Sequence, residues 1–445
     1  MLSTIDNEIL CRVGPGTHMG DLMRQYWIPA VRSDELPSPD SPPVRIRLLG
    51  ENLIAFRDSA GRAGLFANAC PHRGASLFFA RNEEEGLRCV YHGWKFDVTG
   101  ACVDMPSEPA ESNFKTKVRV HAYPTRERGG VIWAYMGGRE TPPPLPELEA
   151  NMLDEGRFTL QTIFQECNFM QGWEGEMDTV HQAFLHYGSE RPRDIQPGTA
   201  GYYIANHRDA RFSVLETPWG TSYGAYRPAE DDTYYWRVAH QLFPFYAMIP
   251  TGTLGIEVRW RAYVPVDDDH TICWTQTAKV ERPAREGLRG ADAPVPAGGS
   301  RATGIQFLPN TTDWYGRWNI TQSPANDFGI DREQQSSGKS FTGIPNGARP
   351  QDMAVTWSMG PIYQRHQEHL GTTDQLIIRT RRRVLAAAKA LRERGVVPPG
   401  VDEPLLYGQR SGGVILPRSV DWFEATKDLR KGFVKHEDLA PLVGV

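Results

Sequence analysis

The chain has 445 residues, a formal net charge of −5 and 12 tryptophans, and 40% of its residues are hydrophobic. This length is too great for one compact core, so we expect more than one domain. The charge is mixed and no basic stripe occurs, which excludes the pattern typical of nucleic-acid binding, and no apolar run reaches the roughly 20 residues of a membrane span.

The start of the chain and its cysteines indicate the compartment. The opening residues, MLSTIDNEIL, lack the basic start and the long apolar run of a signal peptide, so we expect a cytoplasmic protein. The six cysteines are few and scattered. This argues against a disulfide framework and favours metal binding for some of them.

A β-rich region follows the N-terminal segment. Residues 44–60 alternate apolar and charged side chains around a Gly-Glu-Asn turn, which predicts a β-hairpin. Short strand-like runs with glycine turns continue to GGVIWAYMG at 129–137, and a proline-rich linker comes next. We therefore divide the chain into an N-terminal segment 1–25, a first domain 26–140 and a second domain 141–445.

Two stretches of the first domain each pair a cysteine with a histidine, Cys70-x-His72 and, sixteen residues further on, Cys89-x-x-His92. A zinc finger usually groups its ligands by type, whereas here each stretch offers one thiol and one imidazole. A mixed-ligand 2Fe–2S cluster needs this arrangement, because two facing loops can then each send one ligand to each iron. The alternatives are a structural zinc, or buried cysteines beside surface histidines. Cys102 lies outside both stretches and is interpreted as a small core residue.

The second domain opens with a helical pattern at 168–187 that carries Asp178, His181 and His186. On an ideal helix Asp178 and His181 lie roughly 60° apart, but His181 and His186 lie roughly 140° apart. Both histidines can bind one ion only if the helix bulges or ends between them, so we predict an irregularity near 182–186. Two histidines and one carboxylate on one face of an ion are typical of non-haem iron(II) oxygenases.

Further along, strands are predicted at 234–249, at 254–264 and in TICWTQTAKV. The polar, proline-rich stretch 282–304 predicts a mobile surface loop. The sequence TTDQLIIRTRRRVLAAAKALRERG predicts a helix with threonine caps, with Asp374 in its first turn and with Gly395 at its end.

These motifs together resemble a known family. CPHRG, CVYHGWKFD and G-x-C-V-D-M-P resemble the Rieske domain of ring-hydroxylating, non-haem iron oxygenases. The opening NEILCRVGPGTHMGDLMRQYWIPA and the later GPIYQRHQEHLGTTD resemble the phthalate dioxygenase branch. The resemblance implies an α+β fold, in which a small all-β Rieske 2Fe–2S domain precedes a helix-grip-type catalytic domain with a curved antiparallel sheet and covering helices. Electron-carrier ferredoxins share the cluster motif, but such a protein would end near residue 140.

The resemblance also implies roles for the second set of residues. It implies that His181 and His186 are ligands of the mononuclear iron. It also implies that Asp178 bridges the iron-bound histidine to a cluster histidine of a neighbouring subunit. The third iron ligand is expected much further along the chain, where Asp352 stands just ahead of a possible helix. Other acids of that region remain open as this ligand: Asp313, Asp327, Asp331 and Glu333.

Nearby ionisable residues have plainer interpretations. Glu174 and Glu176 are interpreted as an exposed acidic face or, alternatively, as groups that hydrogen-bond around the iron site or supply protons. In YQRHQEHLG, His366, Glu368 and His369 are interpreted as a solvated helix end.

The resemblance further implies a terminal oxygenase component that takes O₂ as co-substrate. Its electrons would come from NADH through a separate reductase with FMN and a 2Fe–2S cluster, since this chain has no G-x-G-x-x-G fingerprint of its own. We expect a homotrimer, or two stacked trimers. Electron tunnelling fades steeply with distance, and head-to-tail contacts would bring the cluster of one subunit near the iron of the next.

We expect the substrate to be an aromatic carboxylate, such as a phthalate isomer, a phenoxybenzoate or a chlorobenzoate. O-demethylation or another monooxygenation of a methoxybenzoate is an alternative, and so is an electron-transfer protein with a non-catalytic second domain. A carboxylate needs an arginine in an otherwise apolar pocket. The candidate contacts are Arg208, Arg211, Arg237, Arg259, Phe243, Phe245, Tyr246, Met248 and Ile249.

Overall fold

The computed structural model describes residues 2–109, 111–280 and 304–432. The mobile loop predicted at 282–304 therefore lies outside the described residues, except for its last position. In the described part of the chain, no helix combines the length and the apolar character needed to span a membrane.

The strands of the described chain are β1 Trp27–Arg32, β2 Val44–Leu48, β3 Glu51–Arg57, β4 Ala63–Ala67, β5 Arg81–Glu83, β6 Gly86–Arg88, β7 Lys95–Phe96, β8 Cys102–Asp104, β9 Thr125–Arg128, β10 Val131–Tyr135, β11 Phe158–Gln165, β12 Arg211–Thr217, β13 Gly220–Pro228, β14 Thr233–Leu242, β15 Tyr246–Met248, β16 Glu257–Pro265, β17 Thr271–Lys279 and β18 Gly412–Pro417. The α-helices are α1 Thr4–Cys11, α2 His18–Met23, α3 Phe169–Met177, α4 Ala200–Asn206, α5 Arg332–Ser336, α6 Ala348–Ser358, α7 Gln375–Arg394, α8 Trp422–Ala425 and α9 Lys427–Arg430.

The first domain consists of small antiparallel sheets. Their strand orders are β1-β10-β9, β2-β3-β4 and β5-β6-β7-β8. The predicted hairpin is confirmed as β2–β3, and its two-residue turn is Leu49–Gly50. A separate apolar core, with Phe56, Phe66 and Phe96 at its centre, lies beneath the cysteine-containing loops.

The second domain is built on one larger antiparallel sheet of order β11-β17-β16-β15-β14-β13-β12, and β18 adds to β14. The strands predicted at 234–249, at 254–264 and in TICWTQTAKV are confirmed as β14 to β17. Helices α3 and α7 pack on this sheet, and α6 packs against α3. The fold is therefore α+β, as predicted.

Helix α7 packs against the N-terminal helices. It follows a 3₁₀ turn at Thr372–Asp374, with Asp374 as N-cap rather than in the first turn, and it ends at Gly395. Its apolar side includes buried Ile377 and Val384. Helices α1 and α2 pack against it, so the N-terminal segment belongs to the core of the second domain.

The proline-rich stretch between the domains is packed rather than free. Its last part forms a 3₁₀ turn, Glu149–Met152, in which every residue is buried. Asn151 receives a hydrogen bond from Arg128 of β9, and Glu149 pairs with Arg410. The segment therefore holds the two domains against each other.

Candidate metal centres and substrate cavity

The two cysteine-histidine stretches form matching loops. The carbonyls of Cys70 and Cys89 each accept a hydrogen bond of 2.9 Å from the N–H of the glycine four residues later, Gly74 and Gly93. Both glycines have left-handed backbones, with φ of 78° and 76°. This conformation favours glycine because it has no Cβ. Each loop therefore turns back tightly behind its cysteine.

The residues of these loops fit a mixed-ligand cluster. Cys70 and Cys89 are buried, and the rings of His72 and His92 lie 4.3 Å apart, centroid to centroid. Burial, with the neighbouring Cys89 thiol adding to it, raises the pKa of Cys70 to about 11. His72 Nδ1 is buried and has no hydrogen-bond partner among the described residues, as expected for a nitrogen that binds metal. Cys102 lies apart in β8, where its thiol donates to the Asp104 carbonyl.

The second constellation begins where helix α3 ends. Met177 is its last residue, and Asp178 Oδ1 accepts the backbone N–H groups of Val180 at 2.8 Å and His181 at 3.2 Å. A π-helical turn, Gln182–His186, follows. The predicted irregularity is thus confirmed, and it lies between the two histidines, where a regular helix would separate them.

The turn brings His181 and His186 together with Asp352 of α6. The Nε2 atoms of the two histidines are 3.2 Å apart. Asp352 Oδ1 lies 3.1 Å from His186 Nε2 and 3.6 Å from His181 Nε2. Burial raises the pKa of Asp352, but the hydrogen bond from His186 and the neighbouring charges lower it to about 2. Three ligand atoms with all separations within 4.8 Å, from two imidazoles and one carboxylate, fit a facial iron(II) site.

The rival acids lie in turns and caps. Asp331 caps α5, where Oδ1 accepts two backbone N–H groups, and Glu333 is exposed on that helix. Asp313 accepts the Tyr315 N–H in an exposed turn. Asp327 has a φ of 50° in a 3₁₀ segment, and like the other three it is absent from the cavity described below.

Neighbouring side chains orient the two histidines. His186 Nδ1 lies 2.8 Å from Gln351 Oε1, which sets the direction of the ring. Asp178 Oδ2 lies 3.7 Å from His181 Nδ1, on the side away from Asp352, so Asp178 is not part of the three-residue group. Outer partners of this kind fix the tautomer and ring orientation of metal-binding histidines.

A cavity of about 480 Å³ lies beside the three ligands. Of the predicted substrate contacts, Arg237, Arg259 and Ile249 line it. The other predicted contacts, Arg208, Arg211, Phe243, Phe245, Tyr246 and Met248, do not line this cavity.

Their surroundings explain this. Arg208 donates to the carbonyl of Gly188 at 3.2 Å, and Arg211 is exposed at the start of β12. The aromatic residues and the methionine are buried in the main apolar core, where, for example, the Tyr246 carbonyl accepts the indole N–H of Trp173.

Glu174 and Glu176 do not form an exposed acidic face, because both are enclosed with arginines. Glu176 pairs with Arg261 and Arg349. It also accepts a 2.5 Å hydrogen bond from the Tyr263 hydroxyl.

Glu174 lies in a second group of buried charges. It pairs with Arg365 at 3.0 Å and with Arg381 at 2.6 Å. Glu368 pairs with Arg381 as well. The residues of YQRHQEHLG are not helical, so the interpretation of this stretch as a solvated helix end is wrong. Of the three residues singled out there, His369 is exposed, His366 is half-buried and Glu368 is buried.

Among the residues of the cavity wall that sequence reasoning missed, three carry the argument below, Thr179, Arg261 and Arg349. Two of them had a signal. Arg261 stands two residues after Arg259 in a strand, so both share one face. Arg349 stands three residues before Asp352 and shares a helix face with it.

The chain matches known proteins along nearly its whole length. The family model described as Rieske [2Fe-2S] domain matches residues 26–124, and the one described as LigXa C-terminal domain like matches 134–288 and 305–437.

Individual proteins agree with these matches. The 3-chlorobenzoate-3,4-dioxygenase oxygenase subunit of Comamonas testosteroni is 46% identical over 98% of this chain and 100% of its own length. The phthalate 4,5-dioxygenase oxygenase subunit of Pseudomonas putida is 35% identical over 95% of this chain and 94% of its own length. The crystal structure of dicamba monooxygenase bound to dicamba shares the fold, with a TM-score of 0.56 at 15% identity over 83% of this chain and 99% of that one. With both sets of metal-binding residues present and these matches spanning both domains, the chain belongs to the Rieske non-haem iron oxygenases, as the oxygenase component.

Proposed function

We propose that this oxygenase component dioxygenates an aromatic carboxylate, and that Arg237 binds the carboxylate. The observation that carries the proposal is the state of this arginine. Arg237 lines the cavity and is only 4% exposed, yet it forms no ion pair within the described residues. Its one hydrogen bond there runs from Nε to the hydroxyl of Thr179, at 2.8 Å.

A second arginine increases the positive charge behind Arg237. Arg227 lies opposite Tyr235 in the sheet and Arg237 lies opposite Ala225, so the two arginines are diagonal neighbours on one face of β13 and β14. Arg227 is fully buried, and its two terminal nitrogens have no hydrogen-bond partner among the described residues. Burial, followed by the charge of Arg237, lowers the pKa of Arg227 to about 10. A buried positive charge without a counter-charge costs several kcal/mol, and a bound carboxylate would offset part of this cost.

The other cavity arginines are less suited to bind an anion. Arg259 pairs with Glu257 at 3.2 Å. Arg261 and Arg349 share Glu176, and Arg381, which also lines the cavity, pairs with Glu174 and Glu368. Because these charges are already matched by carboxylates, a substrate anion would gain less from them than from Arg237.

The metal-binding residues have the following roles in this proposal. Cys70, His72, Cys89 and His92 would hold the 2Fe–2S cluster, and His181, His186 and Asp352 would hold iron(II). When bound, the cluster supplies electrons and the iron supplies the position at which dioxygen reacts. Arg237 orients the aromatic ring in the cavity beside these ligands.

We also infer a head-to-tail homotrimer, or two such trimers stacked. Exposed apolar side chains lie beside the cluster histidines, including Tyr91, whose ring centroid is 3.9 Å from that of His92. Other exposed apolar side chains lie near the iron ligands, among them Phe184, Val355 and Met359. Two complementary apolar areas on one chain support a heterologous contact that closes into a ring.

Asp178 would be the bridge across this contact. Its side chain is 33% exposed and faces His181, so its free side could accept a hydrogen bond from an imidazole of the next subunit. A separate NADH-dependent reductase with FMN and a 2Fe–2S cluster would supply the electrons, which implies a cytoplasmic location.

Binding of an acid and of its neutral counterpart tests the anchor. We expect 3-chlorobenzoate to bind the wild-type protein and 3-chlorobenzamide to bind far more weakly. Arg237→Gln should weaken binding of the acid by about 3 kcal/mol, roughly 100-fold, because charge-assisted hydrogen bonds are lost. Arg211→Gln, at an exposed position on β12, is the matched control and should change Kd by less than about twofold. Equal binding of acid and amide, or an unchanged Kd in Arg237→Gln, would contradict the anchor.

Turnover under ¹⁸O₂ tests the reaction. Dioxygenation requires that both labelled atoms enter one molecule of product. A single labelled atom in the product, or formaldehyde release from a methoxybenzoate, would favour monooxygenation or O-demethylation instead.

A further inference from the structure

We propose that Thr179 couples the carboxylate anchor to the iron-binding turn, so that binding of the acid and binding of iron(II) strengthen each other. This inference rests on the proposed function, since it needs Arg237 to bind the acid. Thr179 is a positioning residue in this scheme, because it acts on the acid through Arg237 and on the metal through the backbone of the turn.

Thr179 lies at the junction between the anchor and the iron ligands. Its hydroxyl oxygen accepts the Nε–H of Arg237 at 2.8 Å, and both side chains are buried, at 1% and 4% exposure. In sequence it stands next to Asp178 and two residues before His181. One small side chain therefore ties this turn to β14, the strand that carries Arg237.

Thr179 lies in the short segment between helix α3 and the π-helical turn. Helix α3 ends at Met177, and the π-helical turn begins only at Gln182. Between them, Asp178 uses Oδ1 to accept N–H groups of its own turn, from Val180 and His181. This cap fixes the shape of the turn, whereas Thr179 fixes its position against the sheet.

The geometry of a guanidinium explains how the coupling works. The group is a rigid plane with five N–H donors in fixed directions. A carboxylate that takes the two terminal nitrogens fixes this plane, and it thereby fixes the direction in which Nε–H points at Thr179. The terminal nitrogens of Arg237 make no hydrogen bond to the described residues, so they are available to the acid. Acid binding would therefore hold Thr179 and the adjoining His181 in one arrangement.

The coupling must act equally in the other direction. If the acid stabilises the arrangement of the turn that holds iron, then iron must increase the affinity for the acid by the same factor. Coupling factors of this kind are typically about 5 to 150. We expect a factor of about 10 here, because one hydrogen bond carries it.

Calorimetry with 3-chlorobenzoate measures this factor directly. The acid is titrated anaerobically into protein with iron(II) in the mononuclear site, and into protein from which that iron has been removed by a chelator. The visible circular dichroism of the 2Fe–2S cluster, recorded on each sample, checks that the protein remains folded and keeps its cluster. The wild-type protein should bind the acid about 10-fold more tightly with iron than without it.

Variants at Thr179 assign the coupling to its hydroxyl. Thr179→Val keeps the shape and removes the hydroxyl, so its ratio of Kd values without and with iron should fall to below about 2. Thr179→Ser keeps the hydroxyl and should retain most of the wild-type ratio. Thr179→Ala is the second deletion of the hydroxyl and should match Thr179→Val. A merely structural role would shift both Kd values together and leave their ratio unchanged.

The outcomes separate this inference from the proposed function. A wild-type protein that binds the acid equally well with and without iron would overturn the inference alone. A hydroxyl-free variant that keeps the full ratio would do the same. A wild-type protein that binds no aromatic acid in either form would overturn the proposed function, and this inference with it.

Discussion

Replacement of Glu174 by glutamine tests how the iron-bearing helix is held in place. Glu174 lies on α3, four residues before Asp178, and its carboxylate is bound by Arg365 and Arg381. Arg365 also donates to Asn7 Oδ1 at 3.0 Å, so the network reaches the N-terminal helix α1. The neutral amide would leave the buried positive charges of Arg365 and Arg381 without the negative charge of the Glu174 carboxylate.

Two estimates of the cost agree. Removal of one partner from a buried ion pair typically costs about 3 to 5 kcal/mol. Burial raises the pKa of Glu174, but the charges and hydrogen bonds of Arg365 and Arg381 lower it from 4.5 to about 2. This difference corresponds to about 3 kcal/mol of the free energy of unfolding.

The lowered pKa also predicts the pH dependence. A carboxylate with a folded pKa below its unfolded value stabilises the protein fully above the unfolded value, near 4.5 for Glu174, and this contribution is lost as the pH falls towards about 2. The difference in free energy of unfolding between wild type and Glu174→Gln should therefore be constant from about pH 7 to 6 and should begin to shrink below about pH 5.

Denaturant titrations followed by far-ultraviolet circular dichroism provide the measurement. The matched control is Glu166→Gln, since Glu166 is an exposed acid three residues before α3. The control should change the free energy of unfolding by less than about 0.5 kcal/mol. A cost below about 1 kcal/mol for Glu174→Gln, or a cost that grows as the pH falls, would refute this account of the network.

Three further variants test other parts of the site. Gly93→Ala should lower the cluster content more than Gly74→Ala. Both glycines have positive φ, but only at Gly93 would a Cβ meet Pro106, at 2.8 Å. The ratio of cluster absorbance to protein concentration measures the cluster content, and equal losses in the two variants would contradict this prediction. Asp178→Asn should keep both metal centres and still suppress turnover with the reductase, because it removes the charge of the proposed bridge. Iron analysis and the rate of turnover with the reductase are measured on the same sample. Loss of the mononuclear iron would show instead that Asp178 is needed for metal binding.

Much of the site could be predicted because its spacing is local. The cysteine and histidine of each cluster stretch lie within four residues of each other, and the five-residue spacing of His181 and His186 required a break in the helix. That spacing, together with the requirement that both histidines bind one ion, predicted a bulge or an end of the helix, and the structure has a π-helical turn there. The sequence left other acids of the same region open beside Asp352 as the third iron ligand, because only the fold brings α6 to the π-helical turn that carries His186.

The buried charges could not be predicted from local pattern. Glu174 looked like a surface acid, since its partners Arg365 and Arg381 stand 191 and 207 residues further along the chain. The difference between Arg237 and Arg259 could not be predicted from local pattern either. Both are strand arginines that line one cavity, and they differ in that Arg259 has a carboxylate partner, Glu257, while Arg237 has none among the described residues.

The iron content of wild type and of His181→Ala tests the central claim most directly, namely that this one chain holds both a Rieske cluster and a separate iron(II). The wild-type protein, fully loaded, should contain about three iron atoms per chain, and His181→Ala about two, with an unchanged cluster spectrum and no oxygenated product. A wild-type protein with only two irons, zinc in the cysteine loops, or a His181→Ala variant that keeps its third iron would contradict the account.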